Sequence, residues 1–205
     1  MTNTVKLTAL AALCVAQVGA AAWSIARYES VLASGAQYRI RVAPVDPADA
    51  FRGRYVAVRP EITIDKPAGA ETERILESIE QGTGTAYVAL GTGADGFAQA
   101  AQIVEAAPQH GDYLRIEHVQ SVWSRQDGAE QSARQTGYTL GFAFDRYYMN
   151  ENAAPAAEQQ YAQAARRDGQ ASAWLTVRVL DGAGVIEGLF IDGVPIEQVA
   201  RQGRR

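Results

Sequence analysis

The sequence predicts an α+β protein that is mainly β: one N-terminal transmembrane or signal helix, then an antiparallel β-rich domain with two short helices. Three observations predict it. Residues 7–26 carry no formal charge. Most of the remaining chain alternates apolar with polar side chains between Gly and Asp-Gly turn signals, the period of a half-buried strand. Two stretches, residues 71–81 and 155–168, change to helical spacing. The organisation read from this is an anchor or signal at 1–27, a β-rich domain at 28–197 with a sub-boundary near 106–111, and a polar tail at 198–205.

The first segment is long enough to cross about 30 Å of hydrocarbon as a helix rising 1.5 Å per residue. Eight of its residues are Ala, and Gln17, Gly19 and Ser24 dilute it further. Three readings stay open: a single-pass anchor, a cleaved export signal ending at the small residues 18–22, and a buried soluble helix. Leu13 stands where a lipoprotein signal needs a small residue, which argues against a lipidated Cys14. Ala12, Ala16 and Ala20 form a small-residue stripe that also follows from the abundance of Ala. Trp23 and Tyr28 occupy the positions of interfacial aromatics.

The expected location is the inner (cytoplasmic) membrane, single-pass, with the C-terminal domain on the extracytoplasmic, periplasmic side. A short N-terminal tail on a lone helix stays inside most simply, although Arg27, Arg39 and Arg41 follow the run and the positive-inside count does not add support. The single Cys fits an oxidising compartment, because it lies in the apolar run with no other to pair with.

Strands are expected at 38–42, 55–58, 62–64, 86–90, 96–104, 113–123, 138–144, 174–180 and 185–191. Asp46-Pro47 reads as a helix start, with Asp46 the cap and Pro47 the first residue. In the 71–81 helix, Glu71 and Glu73 open the first turn, Ile75, Leu76 and Ile79 share a face, and Gly82 closes it. The 155–168 helix has Pro155 near its start, Arg166 and Arg167 in its last turn and Gly169 after it. Its apolar side is mostly Ala with Tyr161, so it packs shallowly. In the 138–144 strand one face is Tyr138, Leu140, Phe142 and Phe144. The other is thinned by Gly141 and Ala143, which invites a close approach. Asp181-Gly182 and Asp192-Gly193 mark turns that fold the chain's end into hairpins. Gly53-Arg54-Tyr55 echoes Gly111-Asp112-Tyr113 weakly, so two related halves are an open reading.

Composition narrows the function classes. A net charge of −4 excludes a strong basic footprint for nucleic acid. One Cys and two His exclude an internal disulfide framework and any Cys-based zinc site. No phosphate-binding loop, dinucleotide fingerprint, nucleophile elbow or His-Glu-x-x-His helix is present. Neither a cofactor nor a metal is expected. Two clusters stand out as an interaction patch: Asp46, Arg52 and Tyr55, and Arg146, Tyr147, Tyr148 and Glu151. Each also has a bland reading, a helix cap with a turn-stabilising pair and a strand edge with a polar rim. Adjacent Tyr147 and Tyr148 must point to opposite faces, leaving one exposed beside Arg146 as a contact residue. The residues with acid–base potential are His110, Asp112, Glu117 and His118. On one extended strand the two His stand about 26 Å apart at 3.3 Å per residue, too far to share a metal.

The stretch Pro44-Val45-Asp46-Pro47 leading to Gly53-Arg54-Tyr55-Val56, the segment Asp145-Arg146-Tyr147-Tyr148, and the run from Asp181-Gly182 to Asp192-Gly193 resemble the GDYXXLXY family of bacterial proteins. In the naming motif Arg54 replaces Asp, Val58 replaces Leu and Pro60 stands at the last Tyr. Gly111-Asp112-Tyr113 carries an alternative echo, with Ile116 and His118 at the later positions. The resemblance implies a membrane-anchored protein without assigned activity, often encoded beside a polytopic membrane protein. The expectation is therefore a non-enzymatic accessory or binding partner of such a protein, held to the membrane by residues 7–26. The alternative is a membrane-tethered hydrolase using Asp112 with His110 or His118.

Overall fold

A computed structural model describes residues 3–43, 55–125, 133–150, 152–165 and 173–202. Helix α1 (Asn3–Ser34) is followed by β1 (Ala36–Ala43), β2 (Tyr55–Ala57), β3 (Arg59–Asp65), α2 (Ala70–Glu80), β4 (Ala86–Thr92), β5 (Ala98–Val104), β6 (Tyr113–Ile116) and β7 (His118–Arg125). Then come β8 (Ala133–Gly141), β9 (Arg146–Tyr148), α3 (Ala154–Ala165), β10 (Ala173–Leu180), β11 (Ala183–Ile191), β12 (Val194–Pro195) and α4 (Ile196–Gln202). The strands form a seven-stranded sheet ordered β12-β11-β10-β1-β3-β8-β7, a three-stranded sheet β5-β4-β6 and a pair β2-β9. Every pairing within these sheets is antiparallel. The mainly β, α+β class read from the sequence is the class observed.

Alternation places the core. Ile40 faces Leu175 across β1 and β10, Leu140 faces Ile62 across β8 and β3, and all four are buried. Helix α2 adds Ile75, Leu76 and Ile79, whose burial contributes about 1.5–3 kcal/mol each. Glu73 at its start accepts a hydrogen bond from the Ala68 amide at 3.1 Å, and Gly82 donates to Ile79 at 2.9 Å at its end. Helix α3 packs through Ala154, Ala157, Tyr161 and Ala164, the shallow contact its composition predicts. Two Asp-Gly turns fold β10, β11 and β12. Asp181 and Gly182 have φ of 47° and 78°, Asp192 and Gly193 of 49° and 81°. Leu180 pairs with Ala183 and Ile191 with Val194, so each turn is a two-residue hairpin loop with both residues left-handed.

Several expectations need correction. The 62–64 stretch does not extend 55–58 past Pro60: β2 and β3 separate at Val58, whose amide donates to the Asp145 carbonyl at 2.9 Å, and they enter different sheets. The 113–123 strand breaks at Glu117 into β6 and β7, again in different sheets. The 138–144 strand begins earlier, at Ala133, and ends at Gly141. The tail boundary at 198 falls inside α4, a helix held by buried Ile196 and Ala200. Each of the three sheets pairs strands from both sides of 106–111, so the two stretches interleave and do not form separate halves. The Asp46-Pro47 helix start, the 126–128 turn, and Arg166, Arg167 and Gly169 lie outside the described residues.

Helix α1 has 32 residues, about 48 Å at 1.5 Å each. It is long and apolar enough to cross a membrane, and the stretch that qualifies is not buried against the domain. Burial begins at Val31, which is 2% exposed. The chain then turns into β1 with one intervening residue, Gly35. The Gly35 amide donates to the Val31 carbonyl at 2.8 Å, and Arg178 donates to the Gly35 carbonyl at 3.1 Å. A Cβ at Gly35 would lie 2.5 Å from the Val31 oxygen and 2.9 Å from the Val179 oxygen. Both are backbone atoms and cannot swing aside. Gly35→Ala is expected to destabilise the domain by about 1–3 kcal/mol. For Gly141→Ala the nearest atoms are those of the imidazole of exposed His118, which can move, and the change should cost under about 0.5 kcal/mol. Urea unfolding of both variants in one detergent tests the contrast.

Candidate functional site

Strand β9 supplies Arg146, Tyr147 and Tyr148, and alternation sends the two adjacent rings to opposite faces. Tyr147 turns inward, and its hydroxyl donates to the Glu197 carboxylate on α4. Burial, and then that hydrogen bond, hold the Tyr147 hydroxyl well above the usual tyrosine range. Tyr148 turns outward and is 68% exposed. Directly across the β2-β9 pair stands Tyr55, with ring centroids 5.8 Å apart in an edge-to-face contact. The Arg146 guanidinium lies 5.4 Å from the Tyr55 ring centre. The structure therefore assembles Tyr55, Arg146 and Tyr148, three of the sequence-selected residues, into one outward aromatic–cation patch. Asp46, Arg52 and Glu151 lie outside the described residues.

A groove of about 420 Å³ runs beside this patch, lined by Tyr28, Phe144, Arg146, Tyr148 and Ile186 among others. A second, of about 170 Å³, is lined by Arg27, Tyr28, Arg115, Glu117 and Phe144. Both include Tyr28, Ala143, Phe144 and Gly184, so they form one trough at the foot of α1. Phe144 lines both grooves and Phe142 the smaller one, the two rings stacked 5.4 Å apart and nearly parallel as the trough's apolar floor. Sequence reasoning missed Arg27, Arg115, Glu117 and Asp145 as trough residues. Only Tyr28 had a local signal, its place just past the apolar run.

The acid–base candidates separate. Asp112 accepts a hydrogen bond from the Tyr38 hydroxyl at 2.9 Å. His118 opens β7 opposite Gly141, and its ring occupies the space a Cβ on Gly141 would need. The thin side of the 138–144 segment thus receives the imidazole of its own cross-strand neighbour. His118 lines a cavity of about 250 Å³ with Arg59, Gln120, Thr139 and Asp145, and Asp112 is not among its walls. His110 lies in the loop before β6. Among the described residues no group of three or more His, Cys, Asp or Glu is placed to hold a metal. Lys66 donates to Gln135 at 2.9 Å and pairs with Glu73 at 3.6 Å.

Two measurements follow. Tyr147→Phe removes the tie between β9 and α4 and should lower stability by about 0.5–1.5 kcal/mol. Tyr148→Ala should stay within about 0.5 kcal/mol of wild type, since it is exposed; denaturant midpoints compare them. The second concerns Tyr38, whose hydroxyl is pushed up to about 12 by burial first and then by Asp112. The unfolded value is about 10. The folded state therefore holds this proton more tightly, and its contribution is complete below about pH 10 and drains as pH rises towards 12. The stability difference between wild type and Tyr38→Phe should be larger at pH 8 than at pH 11.

Comparison with curated proteins and with solved structures gives no match. A family model, described as GDYXXLXY protein, matches residues 17–189, a span that includes the end of α1, strands β1 to β10, the patch and the trough. The chain belongs to the GDYXXLXY protein family.

Proposed function

We propose that the chain is a membrane-anchored, non-enzymatic binding partner of a polytopic membrane protein, held by residues 7–26 in the inner membrane with its β-rich domain on the extracytoplasmic side. The observation that carries this reading is the junction at Gly35. A helix able to span a bilayer enters the sheet with no linker, so the domain is presented at fixed height and orientation. A flexible tether would serve a domain that has to search. A rigid one suits a domain that docks against a neighbour in the same membrane. The patch of Tyr55, Arg146 and Tyr148 supplies side chains of the kind that dominate protein contacts, with Tyr and Arg enriched among hot spots.

Binding is favoured over tethered hydrolysis because Asp112 is committed to Tyr38 and does not line the cavity that holds His118. With the domain on the extracytoplasmic side, protease treatment of intact spheroplasts should degrade it while leaving α1 protected, whereas a domain left intact until the cells are lysed overturns that placement. For the partner, a photo-crosslinking residue placed at Tyr148 in native membranes should capture one defined polytopic protein. Arg146→Ala should reduce the yield by about tenfold, the order of one hot-spot contact. Recovery of uncrosslinked monomer only, at native expression, overturns the reading.

A further inference from the structure

We infer that the trough at the foot of α1 binds the phosphodiester headgroup of an anionic membrane phospholipid. The inference rests on the reading of α1 as a membrane span but not on the existence of a protein partner.

The first reason is height. Arg27 and Tyr28 follow directly on Ala26, where the apolar run ends, and they belong to the same unbroken helix. Two residues of helix advance about 3 Å along the axis. The polar layer outside the hydrocarbon is about 5–8 Å deep on each side of the bilayer. With residues 7–26 in hydrocarbon, both side chains stand in the headgroup layer, and the trough they line opens there. The rigid turn at Gly35 keeps it there.

The second reason is charge. Three guanidinium groups line the trough, those of Arg27, Arg115 and Arg146, against two carboxylates, Glu117 and Asp145. Arg115 stands 3.6 Å from Glu117 and Arg146 3.5 Å from Asp145, beyond the length of a good charge-assisted hydrogen bond. The Arg27 guanidinium leans on the Trp23 ring, 5.8 Å from its centre. The forks are oriented but not consumed, and planar forks suit phosphate oxygens. The trough has one surplus positive charge, which a phosphodiester with an uncharged head neutralises.

The third reason is the floor. Phe142 and Phe144 are apolar, and Val185 and Ile186 continue that surface on β11. A lipid offers both parts: phosphate to the arginines and the first acyl-chain carbons to the apolar surface. A free phosphate matches only the first.

The test uses the full chain purified in mild detergent and examined by native mass spectrometry with added phosphatidylglycerol, phosphatidylcholine or inorganic phosphate. Wild type should retain one phosphatidylglycerol, at least tenfold more than phosphatidylcholine, and inorganic phosphate should not displace it. The double variant Arg27→Gln with Arg115→Gln should lose that retention at least tenfold, while the pair Arg27→Lys with Arg115→Lys keeps part of it. Unfolding temperatures of all chains confirm that the fold is intact. Equal retention by the Gln variant, equal retention of both lipids, or displacement by inorganic phosphate overturns the inference. A chain that partitions into the soluble fraction of lysed cells removes its premise and the anchor reading together. Failure of the wild-type chain to retain phosphatidylglycerol, with Tyr148 crosslinking preserved, sinks this inference alone.

Discussion

Gly35 leaves no space between the helix that can span a bilayer and the sheet that follows. The helix's last turn, the backbone of β10 and the first residue of β1 meet around one missing side chain. β1 sits near the middle of the seven-stranded sheet, between β10 and β3, so the helix is welded to a central strand and not to a frayed edge. Arg178 reinforces the joint from β10, donating to the Gly35 carbonyl and to Glu187 on β11 at 3.0 Å. Motion of the helix is thereby motion of the sheet. The height of the trough and the aim of the aromatic patch inherit their meaning from this joint.

The parts of the fold that were legible in the sequence are those written in local period. Helix α2 shows its buried face at 75, 76 and 79, and the two Asp-Gly turns announce β10 to β12. The break at Glu117 left a trace as well. Leu114 and Ile116 are buried, and the next buried residue is Val119, so the alternation slips by one where the chain changes sheets. By contrast, β2 and β3 keep their parity through Val56, Val58, Pro60 and Ile62, all buried, and nothing local reveals that they part. Helix α4 is too short for a strong period. The aromatic patch was half legible: strand parity gave one exposed Tyr of two, but the partnership with Tyr55 is a pairing across some ninety residues of chain and has no local signature. The trough was not legible because its walls come from α1, β6, the segment after β8, β9, the β10-β11 turn and β11.

The two Gly-x-Tyr segments clarify what a motif of this family does in the fold. Gly111-Asp112-Tyr113 leads into β6, where Asp112 holds Tyr38 of β1. Tyr113 stacks edge-on against Tyr87 of β4 at 5.7 Å and lies against Gly182 in the β10-β11 turn. Ile116, three residues after the Tyr, is buried, as is Val58 three residues after Tyr55. In both places the Tyr opens a strand and the apolar residue three positions on enters the core. An Asp used in this way is a cross-sheet clasp. Its carboxylate serves the fold.

Arg146 and Tyr148 belong to two surfaces at once: they build the patch with Tyr55, and they line the trough beside Tyr28. A lipid phosphate that draws the Arg146 guanidinium into the trough removes it from the Tyr55 ring, a cation–π contact worth about 0.5–1 kcal/mol at an exposed site. The patch open to the proposed protein partner is then a different patch. Linkage makes the effect mutual, since whatever lipid does to partner affinity, the partner does to lipid affinity by the same factor. The coupling is bounded by the energy of the shared side chain, so it amounts to a bias of a few-fold and not a switch. It also has a direction. A partner that needs Arg146 over Tyr55 competes with lipid, whereas one that brings its own carboxylate to the trough mouth replaces it.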